Sequence, residues 1–274
     1  MFERSLAQSA GKRLPYPGTI IASSFTSPLD ILYLAAIFDP VFTQSFSDSR
    51  LVRPISLESA LAACFGITNP LALGVEEKTV ELAKLSKQHP NRIIVVFPEA
   101  TTSNGRGILR LAPTLLSAAS DTKIFPVSLR YTPPDVVTPI PGWLEAAKFI
   151  WRLNSRQTHC IRVRIGGPLT ISAPPAFTAS LDSPASTTAK ASPRSTPARN
   201  SFESNFFDTL PSSPAQTVLG EGGDHDELTE REKGVLDGVA DGLARLGRVK
   251  RVDLGVEEKA KFVEAWAKGS KSRR

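Results

Sequence analysis

Two short segments place acids, hydroxyls and a guanidinium where chemistry could be done. One reads SSFTSPLD over residues 23–30 and the other FPEATTSNGRGIL over residues 97–109. Each closes a run rich in β-branched residues, TIIAS at 19–23 and RIIVVF at 92–97. Ligands of open α/β sheets bind beyond the carboxyl ends of the strands. Two such junctions on neighbouring strands would gather Asp30, Glu99, Thr101, Ser103, Asn104 and Arg106 around one cleft, with Thr26, Ser27 and Pro98 beside them. Backbone N–H groups at a following helix start would add affinity for an anion. Phe25 does not fit, because an aromatic stands where a chemical site calls for something else. Alone, Ser, Thr, Pro and Asp in SSFTSPLD are ordinary turn and N-cap residues. Two such loops, each at the end of a strand, are together a stronger signal than either alone.

The elements that must position these residues follow from pattern. Strands are expected at 18–23, 92–97, 123–131 (KIFPVSLRY) and 160–165 (CIRVRI). Helices are expected at 28–38, 56–65, 75–88, 107–120 and 142–152, with Pro113 bending or splitting the fourth. This alternation predicts an α/β fold: a mixed, largely parallel sheet covered by helices on both faces. It would occupy residues 1–170.

From Ser172 to about Gly223 the composition turns to Ser, Pro, Ala and Thr, which cannot bury enough apolar surface to offset chain entropy. Residues 171–225 are therefore expected to be a disordered insert. It carries Ser-Pro and Thr-Pro pairs and the aromatic group Phe202, Phe206 and Phe207. In 226–274, Thr229 and Glu232 form a capping-box signature. Val235, Leu236, Val239, Leu243 and Leu246 then share one helical face, and Gly247 is the expected stop. That face is expected to return to the main domain as core, with VEEKAKFVEAWAK as a second helix behind a basic phrase, GRVKRV.

Bulk properties narrow the function classes. The formal charge of +6 is uneven: residues 100–170 hold nine basic against three acidic side chains, and 248–274 nine against four. A solvated surface accounts for such an excess, as does an anionic partner, for which phosphate head groups and nucleic acid are both candidates. Cys64 and Cys160 show no C-x-x-C spacing and sit in apolar or strand-like contexts, so both read as reduced core thiols. The longest apolar run, residues 31–38, is far short of the ~18–20 residues of a membrane span. The first 17 residues have no signal-like apolar region, so any membrane attachment is expected to be peripheral or to lie on a segment absent from this sequence. Neither G-x-S-x-G, G-x-x-x-x-G-K nor H-E-x-x-H occurs, which leaves hydrolase, nucleotide and zinc readings without support.

The two loops resemble the first and third blocks of the PlsC-like glycerolipid (lysophosphatidic acid) acyltransferases, N-H-x-S-x-x-D and F-P-E-G-T-R-S. Here they stand as SFTSPLD (24–30) and FPEATTS (97–103), and FPVSLRY (125–131) resembles the fourth block. Within that family the chain is most similar to a fungal branch associated with lysophosphatidic acid acylation and vacuolar sorting, the phrases GRVKRV and LGVEEK included. The resemblance implies a glycerol-3-phosphate acyltransferase-like fold and transfer of an acyl group from acyl-CoA, as co-substrate, to the hydroxyl of a lysophospholipid. No further cofactor, no metal and no nucleic acid is implied. The expected location is the cytosolic face of the endoplasmic reticulum or a lipid droplet.

Asp30 matches the Asp that orients the family's catalytic His, and Glu99 matches the Glu that shapes the acceptor site. Phe25 stands in place of the His, Ala100 in place of the Gly, and Thr102 in place of a phosphate-binding Arg. The second block would fall near CFGITNPLAL, with Asn69 and Ala72 in its Phe and Arg slots. Arg106 is the expected substitute cation, with Arg53 a weaker one. His89 and His159 precede strands and are expected on the side away from the cleft, and His225 in the insert margin. Two readings stay open: a divergent acyltransferase, and a non-catalytic lipid-binding protein of membrane trafficking.

Overall fold

The computed structural model describes residues 14–66, 79–172 and 228–271, all within one compact unit. The expected insert, His225, Phe202, Phe206, Phe207, Asn69 and Ala72 lie outside the described residues. The strands are β1 (Ile20–Ser23), β2 (Val41–Ser45), β3 (Val52–Ile55), β4 (Ile94–Val96), β5 (Gly107–Ile108), β6 (Lys123–Thr132), β7 (Cys160–Ile165), β8 (Leu169–Thr170) and β9 (Lys250–Arg251). The helices are α1 (Pro28–Phe38), α2 (Leu57–Ala63), α3 (Leu82–Gln88), α4 (Trp143–Asn154), α5 (Glu230–Gly247) and α6 (Val256–Lys271).

Seven strands form one mixed sheet in the order β3-β2-β4-β1-β6-β7, with β8 also on β6. The inner strands β2, β4, β1 and β6 are parallel, while β3, β7 and β8 run antiparallel to their neighbours. Strand alternation divides the core in two. Ile21, Val95, Val127 and Leu129 face Ile31 and Leu34 of α1 and Phe149 of α4. Ile20, Ile94 and Ile124 face Leu85 of α3 and Val239 and Leu243 of α5. Helices thus cover both faces, as the alternation of elements predicts.

Several expectations are corrected. Residues 107–120 form no helix: Gly107–Ile108 pairs with Lys250–Arg251 as a two-stranded ribbon, and Pro113 starts a short 3-10 turn, Pro113–Ser117. The expected helix at 75–88 is described only from Leu82, and Val80 instead bridges Val52. The β2–β3 pair was not expected, because Thr43, Gln44 and Pro54 mask its strand pattern; Pro54 is tolerated since β3 lies at the sheet edge. Cys64 is buried, but Cys160 is exposed at the start of the opposite edge strand and is not a core thiol.

Helix α5 has the expected capping box at Thr229 and buries Val235, Leu236, Val239 and Leu243. Leu246 is only half-buried. The helix ends at Gly247 as expected, and the left-handed cap that follows is Arg248, with φ of 50°. The helix lies close to the sheet, where a Cβ on Gly242 would sit 3.1 Å from Pro126 Cγ, and a Cβ on Gly166, just past β7, would sit 2.7 Å from the same atom. Gly166→Ala is therefore expected to lose about 1–3 kcal/mol of unfolding free energy through overpacking. Gly167→Ala, where a Cβ meets nothing within 4 Å, should be near neutral in the same denaturant titration.

Candidate functional site

Asp30 is built into the start of α1. Ser27 is the N-cap, with extended backbone, and Asp30 is the third helical residue, completing a capping box. The Oδ2 atom accepts from the backbone N–H groups of Thr26 and Ser27, at 2.7 and 2.9 Å, and from the Thr26 hydroxyl at 2.9 Å. Tyr131, near the carboxyl end of β6, donates its hydroxyl to Oδ1. The Ser27 hydroxyl donates to the Val136 carbonyl at 2.6 Å. Asp30 is fully buried, and burial raises its pKa to about 6 against the pull of these donors.

The second loop folds against the first. Ser103 N–H donates to the Phe25 carbonyl at 2.8 Å, and Gly105, with φ of 67°, passes close enough that a Cβ would lie 3.4 Å from Thr26 Cγ2. Pro98, Glu99, Thr101 and Ser103 are all buried. Glu99 Oε2 accepts from Leu109 N–H at 3.2 Å, while Oε1 has no hydrogen-bond partner. Burial is the main cause that raises its pKa to about 8. The Leu109 N–H opposes the rise, as does the Phe25 backbone, which lies near without meeting hydrogen-bond geometry. The Thr101 hydroxyl is also buried without a partner.

The structure therefore brings together Asp30, Glu99, Thr26, Ser27, Pro98, Thr101 and Ser103. Asn104 and Arg106 stand at the exposed rim: Asn104 Oδ1 accepts the Arg106 backbone N–H at 3.0 Å, and the Arg106 guanidinium makes no hydrogen bond or ion pair among the described residues. Arg53 lies on edge strand β3, two strands away from β4.

The cation that does reach the loop was missed by sequence reasoning. Lys259 of α6 donates to the Thr102 carbonyl at 2.7 Å and to its hydroxyl at 2.6 Å. Burial lowers its pKa to about 8, partly offset by the nearby Glu99. The β5–β9 ribbon carries α6 to this position, aided by Arg110 N–H donating to the Leu254 carbonyl at 3.0 Å. The only prior signal was the basic balance of residues 248–274; nothing local links Lys259 to a residue so far upstream.

Phe25 is core. It is 6% exposed and stacks on Phe97, with centroids 4.5 Å apart and rings inclined by 23°. Behind the pair lies a cavity of about 20 Å³, lined also by Thr43, Ser45, Ile55 and Ala100. That volume suits about one water molecule. A larger cavity of about 430 Å³ lies between the β5–β9 ribbon and α5, lined by Leu109, Leu236 and Arg251 among others, and none of the predicted site residues lines it.

Neither described histidine supplies the missing base. His89 caps α3 before β4, at the amino edge. His159 is a correction: β7 is antiparallel to β6, so His159 lies at the edge where β6 ends, on the cleft side. It is two strands from β1, and its Nε2 is engaged with the Leu153 carbonyl at 3.0 Å, which can only accept.

A curated protein of Schizosaccharomyces pombe (strain 972 / ATCC 24843), named "Putative lysophosphatidic acid:oleoyl-CoA acyltransferase", is 31% identical to the chain over 135 residues. The likeness to PlsC-like acyltransferases holds. The match covers 49% of this chain and 44% of the relative, so the chain spans less than half the length of that relative. No protein-family model matches the chain.

Against the PlsC-like blocks, two departures gain a physical meaning. Ala100, where the third block has Gly, keeps a left-handed backbone, with φ of 53°. An L-residue there costs roughly 1–2 kcal/mol, and glycine costs roughly 0.5–1 kcal/mol in chain entropy. Ala100→Gly is thus expected to stabilise the chain by about 0.5–1 kcal/mol, read as a higher denaturation midpoint. Thr102, in place of the block's Arg, receives the Lys259 ammonium instead.

The second expectation concerns pH. Glu99 holds its proton in the fold up to about pH 8 but loses it near 4.5 in the unfolded chain. Between those values the native state binds the extra proton, so stability falls as pH rises from about 4.5 to about 8, by up to ~1.4 kcal/mol per pH unit. Asp30 acts in the same direction only up to about pH 6. Between pH 6 and 8, Glu99→Gln should flatten the dependence of the urea midpoint on pH relative to wild type.

Proposed function

We propose that the chain is a divergent acyl-CoA-dependent lysophospholipid O-acyltransferase that accepts lysophosphatidic acid. The observation that carries this reading is the joining of the Asp30 and Glu99 loops into one site, with the Lys259 ammonium on Thr102. The printed name of the fission yeast relative supports the substrate class. In this reading Lys259 faces the acceptor's phosphate, with Arg106 at the rim, and the unpartnered Glu99 carboxyl and Thr101 hydroxyl help to shape the acceptor site. The acceptor oxygen attacks the thioester carbon, the carbon–sulfur bond breaks, CoA leaves as thiol, and the hydroxyl proton must pass to a base.

That base is the weak point of the site. Asp30 has the charge but no exposure, and all its donors come from the protein. Loss of a positioned base costs typically about 10²–10⁴-fold, so turnover is expected to be slow. The packing of Phe25 on Phe97 favours the second reading, a catalytically inactive acyltransferase-like lipid-binding protein acting in membrane trafficking. The location that accompanies either reading is the cytosolic face of the endoplasmic reticulum or a lipid droplet, held peripherally. Support comes from exposed Trp143 and Trp151, and from the absence, among the described residues, of a helix long and apolar enough to cross a membrane.

One assay separates the readings: incorporation of labelled oleoyl groups from oleoyl-CoA into lysophosphatidic acid. Wild type should turn over slowly. Lys259→Met should raise KM for the acceptor about tenfold or more with a smaller change in kcat, and Asp30→Asn should abolish incorporation. Incorporation by Phe25→His with none by wild type would establish the inactive, lipid-binding reading. Wild-type incorporation unchanged in both Asp30→Asn and Lys259→Met would remove this site from the reaction.

A further inference from the structure

The face of the sheet opposite Asp30 carries a concentration of arginines that acyl transfer does not use. Arg130 on β6 lies directly opposite Arg162 on β7, and Arg164, two residues along, shares that face. Arg248, at the left-handed end of α5, completes the group. Like charges placed opposite each other across a ladder destabilise it. Arg164 is sensitive to its surroundings: partial burial of the guanidinium, then Arg248, Arg162 and Arg130, push its pKa down. Among the described residues, no carboxylate forms an ion pair with any of the four.

Helix capping explains part of the arrangement. Arg130 Nη1 donates to the Gly247 carbonyl at 2.5 Å and Arg164 Nη1 to the Leu246 carbonyl at 2.7 Å, both at the carboxyl end of α5. A helix end presents roughly half a negative charge, which one cation satisfies. The side chains of Arg162 and Arg248 make no hydrogen bond or ion pair among the described residues, and both residues are exposed. Four positive charges against roughly half a negative one leave the patch strongly electropositive. Adjacent residues of a strand face opposite sides, so Arg130 abuts Tyr131, the Asp30 partner, yet belongs to a separate surface.

We propose that Arg130, Arg162, Arg164 and Arg248 form a binding site for clustered phosphate groups, distinct from the Asp30–Glu99 site. Guanidinium forks match phosphate oxygens, and the capped Arg130 and Arg164 hold the patch rigid while Arg162 and Arg248 close on the anion. A single cross-strand pair with two arginines nearby is a compact target. It suits two adjacent phosphates, as in a pyrophosphate or a phosphorylated inositol head group, better than a long polyanion.

The test uses the full chain with inorganic pyrophosphate and with vesicles. At a hundredfold excess over Kd, pyrophosphate should raise the melting temperature by about 5–10 °C. The double variant Arg162→Gln/Arg248→Gln, which leaves both capping arginines in place, should lose that rise. Without pyrophosphate, it should melt about 1–2 °C higher than wild type, because the like-charge opposition is relieved. Arg152→Gln on α4 serves as the control and should keep the full response. Flotation with phosphatidylcholine vesicles, with and without phosphatidylinositol 4,5-bisphosphate, identifies the source. Flotation that needs the phosphorylated lipid and is lost in the double variant assigns a lipid head group. A pyrophosphate response without such flotation assigns a soluble phosphate. No pyrophosphate response in wild type, an equal response in the double variant, or aggregation of the double variant with no anion dependence would overturn the proposal, the last marking the arginines as protection for the exposed edge of β7.

Discussion

The structure turns on the Asp30 carboxylate. One buried charge gathers the turn after β1, the first turn of α1 and the end of β6 through two backbone N–H groups and two hydroxyls. Leaving one such donor buried and unpaired costs about 1–3 kcal/mol, so the carboxylate cannot be dropped without rebuilding the junction. Two backbone bonds then extend the arrangement: Thr138 N–H to the Thr26 carbonyl at 2.9 Å, and Ser103 N–H to the Phe25 carbonyl at 2.8 Å. Burial lifts the Asp30 pKa only to about 6 because these donors oppose desolvation, which keeps a charge at the centre of the site near neutral pH.

With that frame held by other groups, the residue at position 25 is free of the task of partnering Asp30. Tyr131 takes up the carboxylate on one side, and Phe25 turns its ring onto Phe97 on the other. The result is a buried carboxylate held by its own donors beside an apolar aromatic pair. A cation from the C-terminal helix reaches the loop at Thr102, brought in by the β5–β9 ribbon. Glu99 and Lys259 then moderate each other, the carboxyl raised and the amine lowered, both towards about 8.

Much of this was legible in the sequence, and for identifiable reasons. The β-branched runs at β1, β4, β6 and β7, and the capping box at Thr229, are local signals that packing did not override. The β2–β3 pair was hidden because half-polar edge strands lack a run of β-branched residues. Residues 107–120 read as a helix only because their preference for pairing with Lys250–Arg251 depends on a distant segment. The same limit hid Lys259, whereas Asp30 and Glu99 were readable because strand ends mark them. The direction of β7, and with it the position of His159, is a tertiary property that strand spacing does not contain.

The central claim is that Asp30 is a buried, charged hub held by the Tyr131 hydroxyl. Carboxyl carbon NMR of selectively labelled aspartate, titrated in wild type and in Tyr131→Phe, measures this directly. The account predicts an Asp30 midpoint near 6 in wild type that moves upward when the Tyr131 hydroxyl, a donor to the charged form, is removed. A midpoint at the ordinary aspartate value of 3.8, unchanged by Tyr131→Phe, would contradict it.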